Sequence, residues 1–477
     1  MSRKTDDLAP VADRLSASDR EIDLEDQALG DDYALNPDFV SDVVDALDSG
    51  DSERLRDLLN ALHPADVADL MGFLSAEARE DLVPHLDPEV LGEILSELDT
   101  EIREEVLEHL PSDTLARVIG EMESDDAADV VDDMEADKRA QVLAAMPEME
   151  RAAIETSLAY EDETAGRLMQ REVVAAPQFW TVGQAIDHFR RDADDLPELF
   201  FDVYVVDPTF KPVGAVSISH LLRAARETPL AQIMEPATEI PVGMDQEEVA
   251  YIFDKYHLIS APVVEPGGRL VGQITVDDIV GVIQEEGEED ILALAGVSDA
   301  GRDAGVWDIV RSRLPWLVLN LATEALAVQA ISAFQDEIAK LVTLAILMPI
   351  VASVGGTAGT QALAVAVRAL AARELNSANA LRIVGREMVV GLMNGSVVGV
   401  VMSISTYVFF HDLRLSLTIG LALIVNLFVA AAAGILAPLT LERLGRDPAV
   451  SSSVFVTFVT DLMGFLSFLG LASLILL

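Results

Sequence analysis

The 477-residue chain has no cysteine, only five lysines and an aromatic content of 5%. Without thiols, disulfides and thiolate metal sites are excluded. The five lysines (Lys4, Lys138, Lys211, Lys255, Lys340) leave arginine to supply most of the positive charge. Even so, basic residues number 32 against 82 acids, a formal charge of −50. A surface this poor in positive charge repels phosphate, which excludes a nucleic-acid binder. Yet 51% of the residues are hydrophobic and the mean hydropathy is +0.31. The two features lie in different places: residues 311–477 hold 10 basic and 9 acidic side chains, residues 1–310 hold 22 and 73. The first part must face water and the last reads as membrane. Acids in such excess repel one another unless strongly screened, which points to a salt-accumulating, halophilic cytoplasm.

Residues 1–35 read as a disordered acidic tail, with no signal peptide near Met1. From Leu62 a 24-residue spacing links Leu62, Leu86, Leu110 and Met134, with Leu74, Leu98, Met122 and Met146 at the half period. Units of 12 residues that open on capping residues or proline predict a solenoid of short stacked helices over 36–165, a docking module rather than a catalytic centre. Short β-type runs at 204–206, 213–216, 261–264 and 270–274 alternate with helical stretches at 182–190, 219–226, 246–257 and 276–284, an α/β tandem within 166–288. The acidic run Glu285–Asp290 follows, and residues 289–312 read as a connector helix interrupted near the glycines at 296, 301 and 305.

Five apolar stretches, at 314–334, 341–367, 388–410, 415–439 and 450–476, are long enough to cross a bilayer, giving a five-helix α transmembrane domain over 313–477. Eight flanking arginines fall on one side, against Lys340 and Arg414 on the other. This places the N-terminus in the cytoplasm and the C-terminus outside. Asp461 lies mid-span, where a carboxylate costs roughly 3 kcal/mol or more unless it meets water, protein or an ion. Thr457 shares its helix face, and Thr460 precedes it directly. Gly355, Gly356 and Thr357 open a small, polar segment in the second span, which suits either an unwound turn offering carbonyls to a pore or a tight packing seam. Asn394 and Asn426 read as interhelical hydrogen-bonding residues, Glu324 as a lesser ion-path candidate, and Glu387 as the cytoplasmic entry of the third span. The membrane part has no nucleophile beside a base, and the seven histidines are scattered, so an enzyme is disfavoured. A lone carboxylate among hydroxyls and carbonyls suits a hard cation, without choosing Mg²⁺ over Ca²⁺, Mn²⁺ or Na⁺.

The order of parts resembles the MgtE family of magnesium channels. The motifs that carry the resemblance are Tyr160–Met169 (YEDETAGRLM), Glu289-Asp290-Ile291, Leu314-Pro315-Trp316, Gly355–Gln361, Arg446-Asp447-Pro448-Ala449 and Thr460-Asp461. The alternating tandem then resembles a CBS pair. The resemblance implies a homodimer with one pore, importing Mg²⁺ across the cytoplasmic membrane and closed by cytosolic Mg²⁺. It implies that Asp461 holds hydrated Mg²⁺ in the pore, lined also by Gly355, Gly356, Thr357, Thr457 and Thr460. Asp278, Glu286, Glu289 and Asp290 match sensor acids. Thr357 stands where the family carries asparagine, and Phe458 where threonine is frequent. Gly272–Asp278 resembles the ribose-binding turn of CBS pairs, with Thr275 and Asp278 facing ribose hydroxyls, so ATP is an optional ligand. Two alternatives are a cation-coupled transporter for another divalent metal and a non-transporting, membrane-anchored nucleotide sensor.

Overall fold

The computed structural model describes residues 28–30, 33–88, 90–193, 196–197, 199–297, 306–375, 379–444 and 452–476. The sequence features at residues 1–27, at the glycines 301 and 305 and at Arg446–Ala449 lie outside the described residues. The chain divides into two compact units, one ending at Ile283 and one starting at Gln284.

Among the described residues, the first unit begins with the α-helices α1 Pro37–Ser49, α2 Ser52–Leu59, α3 Pro64–Phe73, α4 Ala76–Leu82, α5 Leu91–Glu97, α6 Thr100–His109, α7 Ser112–Glu121, α8 Ser124–Asp132, α9 Ala136–Ala145 and α10 Glu148–Ser157. The 12-residue period has a simple cause. Leu74, Leu98, Leu110, Met122 and Met146 each end a helix of seven to ten residues in extended conformation. An apolar residue at the break turns inward and the next helix starts at once. Each helix then stacks on its second neighbour, α3 on α5, α5 on α7 and α7 on α9, burying one continuous core. One boundary differs from the sequence reading: Ala28 and Leu35, assigned to the acidic tail, are buried in this core. Two apolar side chains in a polar stretch leave no periodicity to read.

Two three-stranded sheets follow, β1 Ala175–Pro177, β2 Asp202–Val206 and β3 Pro212–Ser217, then β4 Ile240–Pro241, β5 Ser260–Val264 and β6 Leu270–Thr275. In each, the first strand pairs parallel with the second and the second antiparallel with the third. Helices α12 Val182–Arg191, α13 Ile218–Arg223, α14 Leu230–Ile233 and α15 Gln246–Tyr256 cover them. The short helix α11 Ala165–Leu168 precedes the first repeat in sequence, yet it packs in the second: Ala165 and Met169 share a core with Ile240, Val249 and Ile274. The Ala165 and Gly166 amides donate to the Met244 and Val242 carbonyls at 2.7 and 2.8 Å.

Helix α16 runs unbroken from Val276 to Leu294. The acidic run is therefore helical, and the connector begins as an extension of the last CBS helix rather than at residue 289. Beyond it stand α17 Val306–Ser332, the short α18 Gln335–Lys340, α19 Thr343–Ala371, α20 Ala380–Phe410, α21 Leu413–Arg443 and α22 Ser452–Ile475. Five of these, all but α18, are long and apolar enough to cross a membrane. Helix α21 is the hub, packed against α19, α20 and α22, whereas α17 packs chiefly on α22. Gly391 and Gly399 let α20 approach α21 closely: a Cβ at either would fall 2.7 Å from a carbonyl oxygen, of Leu427 and of Gly420.

Candidate cation sites

In the membrane unit, Asp461 is half-buried on α22. Its carboxyl is in hydrogen-bonding contact with Glu324, which α17 brings in from the first span. Two neighbouring carboxylates are also an all-oxygen donor pair of the kind that suits a hard cation. Thr457 is half-buried one turn away. Thr460 is turned inward: its side chain is buried, its hydroxyl donates to the Thr457 carbonyl at 2.9 Å, and its methyl lies where a Cβ on Gly359 would meet it at 3.1 Å. It packs α22 against α19 and lines no open face, because a mid-helix threonine hydroxyl satisfies itself on its own backbone.

The segment from Gly355 to Gln361 is helical throughout, with Thr357 and Thr360 donating to the Ser353 and Gly356 carbonyls. No unwound turn presents carbonyls there. Gly355 and Gly359 face protein, the first against Asn426 and the second against Val456 and Thr460. Ser353, Thr357, Thr360 and Gln361 are exposed, and nothing lies within 4 Å of a Cβ on Gly356. The segment is thus a packing seam on one side and a polar stripe on the other. Asn426 is fully buried and bonds across helices to the Val351 carbonyl, whereas Asn394 is exposed on α20. Glu387 sits near the N-terminal end of α20 beside Arg386, 3.7 Å away. The C-terminal end of α16 belongs to this unit: Ala293 and Leu294 pack on Leu363, Val367 and Val456 of α19 and α22. Glu286, Glu289 and Asp290 lie on the same helix, two to three turns beyond Asp278.

The first unit holds a second acidic site that the sequence reading captured only at Asp278. Helix α8 turns Asp125, Asp126 and Asp129 toward the CBS pair. Asp125 is 6% exposed, and its Oδ2 has no hydrogen-bond partner. Burial, then the charges of Asp278 and Asp126, push its carboxyl well above the ordinary range. Burial and Asp278 push Asp126 up to about 7. Asp278 is pushed up to about 6 by burial and by Asp277 and Glu123, against the opposing 2.8 Å hydrogen bond from Thr275. At the other end of α8, Arg167 closes the interface, with Nη2 at 3.2 Å from Asp129 and 3.0 Å from Asp132. Among the described residues, no three carboxylates, histidines or cysteines are arranged as a ready metal cage. The donor set is nevertheless all oxygen, and the orphaned Asp125 Oδ2 fits a cation held partly through its own water shell. Glu123, Asp125 and Asp126 escaped the sequence reading because they sit in an acid-rich stretch like any other here.

Between the two CBS sheets, the buried Tyr204 hydroxyl lies 2.8 Å from Ser260 Oγ, which donates to Asp202 at 2.8 Å. Thr275 and Asp278, the ribose-turn candidates, are bonded to each other at the start of α16.

A helical solenoid, a CBS pair and five membrane-length helices with a carboxyl pair inside the lipid-spanning region define a cation-transporting membrane protein with a water-facing module. The divalent cation transporter family MgtE matches residues 348–471, the MgtE intracellular N domain residues 62–163, and the CBS domain residues 165–227 and 230–285. The magnesium transporter MgtE of Enterococcus faecalis is 36% identical over 326 residues, covering 68% of this chain and 72% of that one. That of Thermus thermophilus is 34% identical over 330 residues, covering 68% and 73%. The chain belongs to the MgtE family. Among solved structures, the cytosolic domain of the Mg²⁺ channel MgtE in complex with ATP aligns at 34% identity over 51% of this chain and 99% of that one, with a TM-score of 0.48. The soluble part of a magnesium transporter aligns at 29% identity over 52% and 98%, with a TM-score of 0.47.

Proposed function

We propose that this chain is a Mg²⁺ channel of the cytoplasmic membrane, assembled as a homodimer around one pore, with Asp461 holding the hydrated ion and cytosolic Mg²⁺ favouring closure. The observation that carries the pore is the polar stripe of α19. Ser353, Thr357, Thr360 and Gln361 are exposed on a membrane helix, and four polar side chains on one lipid-facing stripe are costly. A second copy and a water-filled passage remove that cost. The relatives named above are magnesium transporters, which favours Mg²⁺ as the cargo. A second copy is also supported by α16, where Val276, Val280 and Ile283, at helical spacing, are all exposed.

For regulation, the cluster of Glu123, Asp125, Asp126 and Asp278 is the site this reading favours for sensing, with Glu286, Glu289 and Asp290 further along α16. Bound divalent cations would offset the repulsion between α8 and the start of α16. The far end of α16 packs on the α19 and α22 helices, so a change at its start has a covalent route to the membrane unit. ATP is a further proposed ligand of the CBS pair, tested by whether Thr275→Val weakens nucleotide binding. The high acid content favours a halophilic cytoplasm and assays in molar KCl.

The test is Mg²⁺ uptake into proteoliposomes at high KCl, for the native protein and for Asp461→Ala. Loss of flux in the variant supports the reading, and unchanged flux overturns it. The Glu324–Asp461 pair favours one second reading, a cation-coupled transporter, since adjacent carboxyls are suited to carrying a proton. Flux driven by voltage alone, without a coupling ion, argues against that alternative.

A further inference from the structure

Asn426, on the central helix α21, touches both helices that carry the pore elements. Its side chain is fully buried. Nδ2 donates to the Val351 carbonyl of α19 at 2.9 Å, while Oδ1 has no partner. A Cβ on Gly355, one turn beyond Val351, would collide with this carboxamide, and a Cβ on Gly464 of α22 would lie 2.9 Å from Nδ2. Gly464 follows Asp461 by less than one turn. One amide is therefore wedged between the glycine face of the polar segment and the glycine beneath the intramembrane acid.

Packing alone does not require this chemistry. An apolar side chain would fill the gap without leaving a buried oxygen unpaired, and such an oxygen is costly in a membrane interior. The bond also goes to a backbone carbonyl that no side-chain change can remove, so it fixes the height of α19 against α21 as well as its distance. We propose that Asn426 is a positioning residue for transport: it sets the spacing between the exposed Ser353–Thr357 stripe of α19 and Asp461 on α22, and so the affinity of the pore for its cation. The inference rests on the reading that Asp461 holds the transported ion.

Three variants in proteoliposomes at high KCl test it: Asn426→Leu, Gly464→Ala and Asp461→Asn. Asn426→Leu keeps the number and branching of the side-chain heavy atoms and removes the donor. Gly464→Ala leaves Asn426 in place but pushes it by a methyl group. Both should raise the half-saturating Mg²⁺ concentration by about tenfold while changing the maximal rate by less than about threefold, since displacing a positioned group weakens binding geometry first. Both should also narrow the preference for Mg²⁺ over Ca²⁺, which a purely structural role would leave unmoved. Wild-type concentration dependence and selectivity in both variants would overturn the inference. If Asn426→Leu fails to assemble, Gly464→Ala decides alone, because the contact it disturbs is with a side-chain end. Asp461→Asn separates the two claims. Full activity in that variant removes the pore reading itself, whereas its loss beside unchanged Asn426 and Gly464 variants removes only this inference.

Discussion

Arg167 Nη2 lies 3.0 Å from Asp132 Oδ2 and 3.2 Å from Asp129 Oδ1, tying the segment that enters the CBS pair to the end of helix α8. The guanidinium side chain is only 11% exposed. It neutralises one end of an interface whose other end holds Asp125, Asp126 and Asp278, where Arg103 offsets part of the charge at Asp126 while acids and burial dominate at Asp125. One edge of the interface is thus held by a resident cation and the other by whatever neutralises its acids.

Arg167→Gln should loosen α8 from the CBS pair. Asp129 and Asp132 are 58% and 39% exposed and re-solvate once the guanidinium is gone, so the loss should be about 1 kcal/mol. Hydrogen exchange of the intact protein should show faster exchange across α8 and residues 165–172, with the CBS sheets unchanged. Equal protection in α8 would refute the assignment of a latch.

The pH response of the same interface has a definite sign. Asp126 and Asp278 titrate near 7 and 6 in the folded form, above the ordinary 3.8. The compact form therefore binds more protons than the separated one. Without divalent ions, the compact interface should be most stable below about pH 4 and weaken as pH rises through 6 to 7. Limited proteolysis in chelator should cut between the helical domain and the CBS pair faster at pH 8 than at pH 5. Added Mg²⁺ should restore resistance at pH 8. A pH-independent cutting rate would contradict the charge argument.

Glu324 is the neighbour that Asp461 acquires from the first span. Glu324→Gln keeps the shape but removes the second carboxyl. Uptake at low Mg²⁺ should fall about tenfold and recover partly at saturation, because a second carboxylate concentrates cations near the first. Asp461→Asn should lose about 100-fold at all concentrations, the scale expected for removing a group that contacts the charge directly. Equal effects from the two substitutions would show that the pair works as one unit.

Gly272 tests the fold itself. A Cβ there would fall 2.6 Å from Met169 Sδ and 2.7 Å from the Gln170 carbonyl oxygen. The sulfur can move but the backbone cannot, so Gly272→Ala should destabilise the CBS pair by about 1–3 kcal/mol. Thermal unfolding should report a lower midpoint for the water-facing unit. An unchanged midpoint would mean that residues 165–170 do not pack on the second repeat.

Much of this architecture was readable from patterns. The half-period leucines and methionines predicted the solenoid because a residue at each helix break must be apolar to close the turn. Four of the six CBS strands were visible as β-branched runs, whereas β1 and β4, of three and two residues, are too short to show any period. The five spans were found from hydropathy, although α20 begins at Ala380, ahead of the apolar stretch at 388, since helical hydrogen bonds continue through the arginines that flank it. Thr460 was assigned to a pore face and is buried instead, because its own backbone takes its hydroxyl and Gly359 takes its methyl.

The amino-acid order by itself determined where acid and lipid-compatible residues go, how many stretches are long and apolar enough to cross, and that Glu324 and Asp461 fall within them. Those properties depend on composition and on the period within a single element. Only the tertiary structure decided that Asp461 meets Glu324, that Asn426 stands between Gly355 and Gly464, and that α8 faces the start of α16 with its acids. Each of these contacts joins residues distant in the chain, and a helical period says which side chains share a face without saying which other face they meet. In a chain with 82 acids, a functional carboxylate is recognised by what surrounds it after folding.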